Sequence, residues 1–244
     1  EGKSFFQKDA PEWVPDWLRR ERIWSEQTGR EIDYFVCDDV ESLLFLANLG
    51  TIPLHIWSSR VTDLARPDWC ILDLDPKGAP FPDDWRGARP IHRLCRAIDL
   101  PSYVKTSGST GLHVLLPLGG GCSYEQSRTL GELIARIVEA ELPRIATTAR
   151  AVGRRGGRVY VDYLQNGHGR LIAAPFSVRP LAGAPVSTPL RWSEVDAKLA
   201  IDRFTIRTVP GRMKRRRGVD PMAQVLADRP DLTRILTRLA ERVG

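Results

Sequence analysis

This chain lacks long apolar runs and shows no leader sequence. A membrane-spanning helix needs about 20 consecutive apolar residues, and the longest runs, Leu43–Leu49 and Val114–Leu118, are far shorter. The opening residues, EGKSFF, do not have the pattern of a signal peptide. The sequence therefore predicts no membrane partner. Because the first residue is not Met, we also expect further chain before residue 1.

Paired cysteines are also missing. The four cysteines, Cys37, Cys70, Cys95 and Cys122, lie far apart and form no C-x-x-C pair. This spacing indicates neither a zinc site nor a disulfide framework. We expect a reducing, cytoplasmic location.

The composition is that of an ordinary globular protein with an excess of basic residues. Apolar residues make up 42% and charged residues 27% of the 244 residues, and the net charge is +6. Arginines and lysines cluster around Arg154 and again around Arg215. Such clusters can neutralise nucleic-acid phosphates, although a solvated basic surface gives the same pattern.

Apolar periodicity and turn residues predict interleaved helices and strands, hence an α/β or α+β fold. The predicted helices are 15–20, the segment through Leu43–Leu46 capped by Asp38 or Asp39, 87–98, 124–141 and 222–243. The predicted strands are 51–57, 69–75, 102–107, 112–118, 158–164 and 171–178. The remainder of residues 1–35 is expected to be irregular.

The first chemical signal is the segment 70–76, CILDLDP. Side chains alternate faces along a strand, so Cys70, Leu72 and Leu74 should enter a core while Asp73 and Asp75 share the other face. Two carboxylates on one face of an apolar strand repel each other unless a cation joins them. A magnesium or manganese site meets that need. An isolated D-x-D at a strand end is, however, more often structural.

The second signal is the segment 105–113, KTSGSTGLH. A turn rich in Ser and Gly lets backbone N–H groups approach a phosphate, and the hydroxyls and imidazole nearby can donate to its oxygens. His113 follows the turn and can face the same cavity as Ser107. A tight hairpin that only requires glycine, with His113 in the core, would give the same pattern. The third signal, Asp162 in the segment RVYVDYLQN, is weak by itself.

Taken in order, these segments resemble the archaeo-eukaryotic primase superfamily and, more narrowly, the polymerase domain of bacterial ligase D. The resemblance covers nearly the whole chain. The matching stretches are FFQKDAP (5–11), LANLG (46–50), LHIW (54–57), PDW (67–69), DLDP (73–76), KTSG (105–108), DYLQN (162–166), SVR (177–179) and GAPVSTPL (183–190).

The resemblance implies one primase-polymerase module over residues 1–244, with mixed β-sheets flanked by helices around a catalytic cleft. It implies DNA-directed nucleotidyl transfer that extends primer 3′ ends with NTPs or dNTPs, filling gaps and overhangs in non-homologous end joining. The implied partners are gapped or overhanging DNA ends, Ku and a DNA ligase module, and the implied cofactors are two Mn²⁺ or Mg²⁺ ions.

The resemblance also assigns site residues. Asp73, Asp75 and Asp162 would be the catalytic metal ligands. The nucleotide would be held by His55, Ser107, Gly108, Thr110, His113 and Arg179. DNA would be contacted by Phe5, Phe6, Lys8 and Arg155, with the phenylalanines stacking on template bases.

The sequence departs from the family pattern in two places. Thr110 stands where the family often has Lys, so one triphosphate contact is missing or replaced by a hydroxyl. The N-terminal family segment that helps to bind the 5′-phosphate is missing from this sequence.

Three other functions are compatible with parts of the pattern. A haloacid-dehalogenase-type phosphatase also begins with D-x-D, but that motif continues as D-x-D-x-[T/V], whereas here Pro76 and Lys77 follow. A non-catalytic DNA-end-binding module would retain the basic clusters but leave the aspartates without a role. A primase that starts chains de novo is the nearest catalytic alternative.

Overall fold

This computed structural model describes residues 6–25, 28–77 and 82–242, with the backbone alone at 82–85. The chain forms two compact units, residues 1–52 and 53–244. Among the described residues, no helix has the length and apolar character to cross a bilayer.

The first unit contains a hairpin and a helix. Strands β1 (Arg20–Ser25) and β2 (Arg30–Phe35) pair antiparallel, with Ile23 opposite Ile32 and both side chains buried. Helix α1 (Val40–Asn48) starts at Asp39, whose carboxylate accepts from Ser42 N–H, as the sequence predicts. The predictions of a helix at 15–20 and of irregular chain up to residue 35 were wrong. Charged residues on the exposed hairpin face hid the alternation of its buried residues.

The second unit is built on a six-stranded sheet. Strand β3 (His55–Ile56) pairs outside this sheet with β9 (Ile172–Ala173). The strands of the main sheet are β4 (Trp69–Asp75), β5 (Tyr103–Thr106), β6 (Leu112–Pro117), β7 (Ala146–Thr147), β8 (Val159–Asp162) and β10 (Pro189–Leu190). Their order in the sheet is β10-β5-β6-β4-β8-β7. All pairs are antiparallel except β7 with β8, so the fold is mixed α/β as predicted.

Helices α2 (Pro82–Ala97) and α3 (Tyr124–Glu141) pack with one face of this sheet in a single apolar core. Cys70, Leu72 and Leu74 lie in that core, which confirms the alternation predicted for β4. The opposite face of the sheet carries a smaller apolar cluster that includes Trp69 and Ile71, near the start of β4. Asp73 and Asp75 continue that second face beyond the apolar cluster.

Several element boundaries differ from prediction, among them that of the strand predicted at 51–57, which is limited to β3. Helix α2 begins at Pro82, which was expected to lie in a break; proline is well suited to a first helical position, where its missing N–H is not needed. The strand predicted at 171–178 is limited to β9. The single helix predicted at 222–243 is instead a short 3₁₀ turn at 223–226, then α5 (Leu232–Ala240) capped by Asp231. Pro230 separates the two. Between β10 and this tail lies α4 (Val209–Arg215).

Candidate active site

Strand register brings two of the predicted aspartates together. Asp73 on β4 is the direct cross-strand partner of Asp162 on β8, and Asp75 lies two residues further along the same face. Like charges directly opposite each other destabilise a sheet. Burial, followed by the charges of Asp162 and Asp75, raises the pKa of Asp73 to about 7. The strands therefore bring three carboxylates close together.

The predicted Ser/Gly turn lies beside these carboxylates. The Ser107 hydroxyl accepts from the backbone N–H groups of Ser109 and Gly111, each at 3.1 Å, and so holds the turn between β5 and β6. The hydroxyl also carries one proton that it can donate to a ligand. Arg179 Nη1 donates to the Ser107 carbonyl at 3.1 Å, which fixes the arginine against the turn.

Glycine is required at two positions of this turn. Gly108 has φ +77°, and a Cβ there would lie 2.8 Å from Cγ of Arg179 and 2.9 Å from the backbone nitrogen of Ser187. A Cβ at Gly111 would lie 2.0 Å from the carbonyl oxygen of Leu74. The turn is therefore held close both to Arg179 and to the strand that carries the aspartates.

Together these residues line a cleft of about 290 Å³, near the lower end of the range for small-molecule sites. Its lining includes seven of the predicted site residues: Asp73, Asp75, Asp162, Ser107, Thr110, His113 and Arg179. Carboxylates form one side of the cleft, and hydroxyls, an imidazole and a guanidinium form the other. Thr110 is exposed at its edge.

His113 connects the two sides. It lies on β6 directly opposite Asp73, with Nε2 3.4 Å from Oδ1 of that carboxylate. Burial, followed by the positive charges of Lys105 and Arg179, lowers the pKa of His113 well below its usual value. The imidazole is therefore neutral at pH 7 and can be both a donor and an acceptor.

The remaining predicted residues are placed elsewhere. His55, on β3, is absent from the cleft lining, yet burial and then the charges of Arg179 and Lys105 lower its pKa. Phe6 is 53% exposed and Lys8 is half-buried, both in the first unit. Phe5 lies outside the described residues.

Arg155, which is predicted to contact DNA, forms an ion pair with Asp75 in this structure. Its side chain is buried at 7% exposure, and Nη1 donates to Oδ2 of Asp75 at 2.8 Å. The guanidinium also lies over the Tyr160 ring, 4.3 Å from its centroid. In this structure Arg155 thus neutralises Asp75.

Two further residues support the site without having been predicted to do so. Asn166 accepts from the backbone N–H of Ile71 and donates to its carbonyl oxygen, each at 2.7 Å, and thereby holds β4 two residues before Asp73. Lys105 is fully buried beside His113. The sequence signal that could have drawn attention to Lys105 is the presence of a lysine inside the apolar strand segment YVKT. Nothing local in the sequence indicated that Asn166 bonds to β4.

The partners of the three carboxylates bear on whether these side chains can bind a metal ion. Asp75 is paired with Arg155, and Asp162 accepts from Tyr160 Oη, Leu164 N–H and Gln165 Nε2. No group of three or more His, Cys, Asp or Glu side chains in the described part of the chain is arranged to hold a metal ion. Carboxylate oxygens are nevertheless the type of ligand that Mg²⁺ and Mn²⁺ prefer.

Comparison with known proteins agrees with this architecture. The model of the family described as "LigD, primase-polymerase domain" matches residues 1–222. The polymerase domain from Mycobacterium tuberculosis ligase D, solved in complex with DNA, superposes with a TM-score of 0.83 at 26% identity, covering 94% of this chain and 81% of that one. The fold thus places this chain in the primase-polymerase class.

More narrowly, the chain belongs to the LigD primase-polymerase domain family. It is 34% identical over 218 residues to the bifunctional non-homologous end joining protein LigD of Bacillus subtilis, covering 87% of this chain and 34% of that protein. It is 29% identical over 199 residues to the multifunctional protein LigD of Pseudomonas aeruginosa, covering 81% of this chain and 24% of that protein. The chain therefore spans about a third or less of these relatives.

Proposed function

We propose that this domain extends primer 3′ ends with NTPs or dNTPs, filling gaps and overhangs at DNA double-strand breaks during non-homologous end joining. The observation that carries the proposal is the cleft between β4, β8 and the Ser107 turn. Its acidic side suits divalent cations, and its basic and hydroxyl side suits a triphosphate. Membership of the polymerase family supports the same reaction.

Different residues of the chain would bind the metal ions and the nucleotide. Asp73, Asp75 and Asp162 would hold two Mn²⁺ or Mg²⁺ ions. When bound, such ions supply Lewis-acid chemistry that lowers the pKa of an attacking hydroxyl and offsets triphosphate charge. In the reaction, the primer 3′-hydroxyl attacks the α-phosphate of the nucleotide and pyrophosphate leaves.

The opposite side of the cleft would bind the triphosphate. Ser107 Oγ and His113 Nε2 can each donate to a phosphate oxygen, and Arg179 adds a fixed positive charge. Gly108 and Thr110 would shape the turn around the phosphates, and His55 would lie near the sugar. Since Arg155 is bonded to Asp75, its contact with a phosphate would require that ion pair to open.

DNA ends are the proposed macromolecular substrate. Phe5 and Phe6 would stack on template bases while Lys8 contacts the DNA backbone. Ku and a DNA ligase module are the proposed partners in the nucleoid, by analogy with relatives that are named as end-joining proteins. The DNA-bound structure of the M. tuberculosis domain supports DNA as a ligand of this family.

The test is primer extension on a gapped duplex, with NTP and dNTP side by side and Mg²⁺ compared with Mn²⁺. We expect metal-dependent addition by the wild type and loss of addition in Asp73→Asn and Asp162→Asn. Asp202→Asn, which changes an exposed aspartate away from the cleft, is the matched control and should retain activity. Unchanged extension by folded Asp73→Asn would reject the proposal. Synthesis on an unprimed template would identify a primase instead.

A further inference from the structure

A row of four ionisable side chains crosses the main sheet on the face of the cleft. Lys105 on β5 lies opposite His113 on β6, His113 lies opposite Asp73 on β4, and Asp73 lies opposite Asp162 on β8. The proposed metal and nucleotide ligands account for three of these residues. Lys105, at the other end of the row, has no role in that mechanism and does not line the cleft.

Three polar atoms surround the ammonium nitrogen of Lys105. Its side chain is 0% exposed, and Nζ lies 2.6 Å from Ser187 Oγ, 2.9 Å from His113 Nδ1 and 3.5 Å from the Thr106 carbonyl oxygen. The Ser187 hydroxyl donates its own proton to the Thr106 carbonyl at 2.9 Å, so it accepts from Lys105. Burial lowers the pKa of Lys105 to about 7, while the charge of Asp73 raises it, so below pH 7 Nζ is mostly an ammonium with three donors and no acceptor. Two of these donors face oxygen acceptors, and the third faces Nδ1 of His113.

This arrangement determines which nitrogen of His113 carries the proton. We propose that Lys105 is a positioning residue that donates to Nδ1 of His113 and so holds the imidazole in the tautomer protonated on Nε2. That proton faces Asp73 and the cleft. The inference rests on the proposed function, in which His113 donates to the triphosphate.

The opposite tautomer would be unsuited to this cleft. A proton on Nδ1 would face the ammonium donors of Lys105, and the lone pair of Nε2 would then face Asp73. A phosphate oxygen entering the cleft would meet an acceptor in place of a donor. Lys105 thus acts on the nucleotide through His113, without contacting it.

Long-range ¹H–¹⁵N spectra of the full 244-residue chain with ¹⁵N-labelled histidine test the tautomer directly. Signals of His113 among the four histidines are assigned by their loss in His113→Ala. We expect Nε2 of wild-type His113 to be protonated and Nδ1 to be unprotonated. Protonation on Nδ1 would overturn the proposal, and this result does not depend on whether any Lys105 variant folds.

Substitution tests the cause. Lys105→Met removes the donors at similar length and should shift the Nδ1 resonance and mix the tautomers. Ser187→Ala is the matched control, because it removes another partner of Lys105 and leaves the bond to His113. It should retain the wild-type pattern. Unchanged His113 resonances in a folded Lys105→Met protein would refute the role of Lys105.

Kinetics separate positioning from general structural support. Lys105→Met should raise the KM for NTP about tenfold, the effect of one charge-assisted hydrogen bond, and leave DNA affinity unchanged. Combining it with His113→Ala should add nothing to His113→Ala alone, since one residue acts through the other. Additive losses would overturn the proposal. Absence of extension by the wild type would reject the proposed function, while the tautomer spectra would still decide this inference.

Discussion

At the scale of single residues, Asp73 and Asp75 are two carboxylates of one strand with opposite electrostatic surroundings. Asp73 faces a like charge across the sheet, whereas Asp75 accepts a hydrogen bond from the buried guanidinium of Arg155. Removing Asp73 therefore relieves repulsion, and removing Asp75 leaves a buried cation without its partner. Substitution of the two should have different effects on stability, even where both abolish catalysis.

We expect Asp73→Asn to leave the melting temperature unchanged or raised, because the amide keeps the shape and loses the repelled charge. Asp75→Asn should lower the free energy of unfolding by about 1–2 kcal/mol, a value below that of a fully buried pair since Asp75 is partly exposed. Chemical denaturation in metal-free buffer measures both. Equal destabilisation by the two variants would contradict the assignment of Arg155 to Asp75.

Arg179 provides a second prediction at this scale. Its guanidinium lines the cleft and would face charge that grows as pyrophosphate leaves. Arg179→Ala should lower kcat/KM for NTP by about 10- to 100-fold, with little change in DNA affinity. Arg207→Ala, at an exposed position outside the cleft lining, is the control and should behave as the wild type. Loss of DNA binding with intact nucleotide kinetics would place Arg179 on the DNA instead.

At the scale of elements, the basic cluster around α4 is divided between two environments. Arg212 and Arg216 are largely buried and donate to Glu194, each at 2.6 Å. Lys214, Arg215 and Arg217 are exposed. In the sequence these residues form one basic cluster. Only the ion pairs with Glu194 show which of the charges are structural and which are accessible.

Replacing Lys214, Arg215 and Arg217 together by Gln tests whether this surface contacts DNA. Each lost phosphate contact reduces the slope of log K against log salt by about one, so a DNA surface predicts a slope flatter by about two to three. A control with Arg96, Arg128 and Arg242 replaced by Gln removes equal charge from exposed positions elsewhere. Equal flattening in both proteins would show a net-charge effect and no contact by this surface.

The ion pairs of Glu194 with Arg212 and Arg216 predict that the stability of the fold depends on pH. Burial raises the pKa of Glu194, but hydrogen bonds from Arg212, the Arg191 backbone and Arg216 outweigh it and lower the pKa to about 2. Since the folded pKa lies below the unfolded value, this stabilisation is present above about pH 4.5 and is lost between pH 4.5 and 2. Wild type and Glu194→Gln should therefore differ by roughly 2–3 kcal/mol at pH 6 and converge towards pH 2. A constant difference across that range would exclude the ion cluster as the cause.

At the scale of the whole molecule, the residues predicted to contact DNA and the residues that line the cleft are divided between the two compact units. Phe6 and Lys8 belong to residues 1–52, whereas all residues that line the cleft belong to residues 53–244. Substitutions in the first unit should therefore change DNA binding, and substitutions in the cleft should change the kinetics with the nucleotide.

Phe6→Ala tests this division. Because Phe6 is 53% exposed, we expect no change in melting temperature. Loss of base stacking should weaken binding to a single-stranded overhang by about 1–3 kcal/mol and leave the salt dependence of duplex binding and the KM for NTP unchanged. A large fall in melting temperature, with all activities reduced together, would show that the ring supports the fold.

Local patterns predicted much of this fold and fewer of the site contacts. The alternation in β4, the cap at Asp39 and the hairpin around Gly108–Gly111 follow from neighbouring residues, and the structure has all three. The hairpin at 20–35 and the divided C-terminal tail were missed. In the hairpin, charged residues on the exposed face obscured the alternation of the buried ones, and in the tail Pro230 divides the segment predicted as one helix.

The sequence by itself determined which residue types meet at the cleft. The two-residue period of a strand places Asp73 and Asp75 on one face, and the glycines of the turn are required by local backbone geometry. Only the tertiary structure decided what each of them faces. Strand register set the row from Lys105 to Asp162, and residues distant in sequence placed Arg155 on Asp75 and Asn166 on Ile71. Register and long-range pairing depend on the packing of the whole sheet, which no local pattern contains.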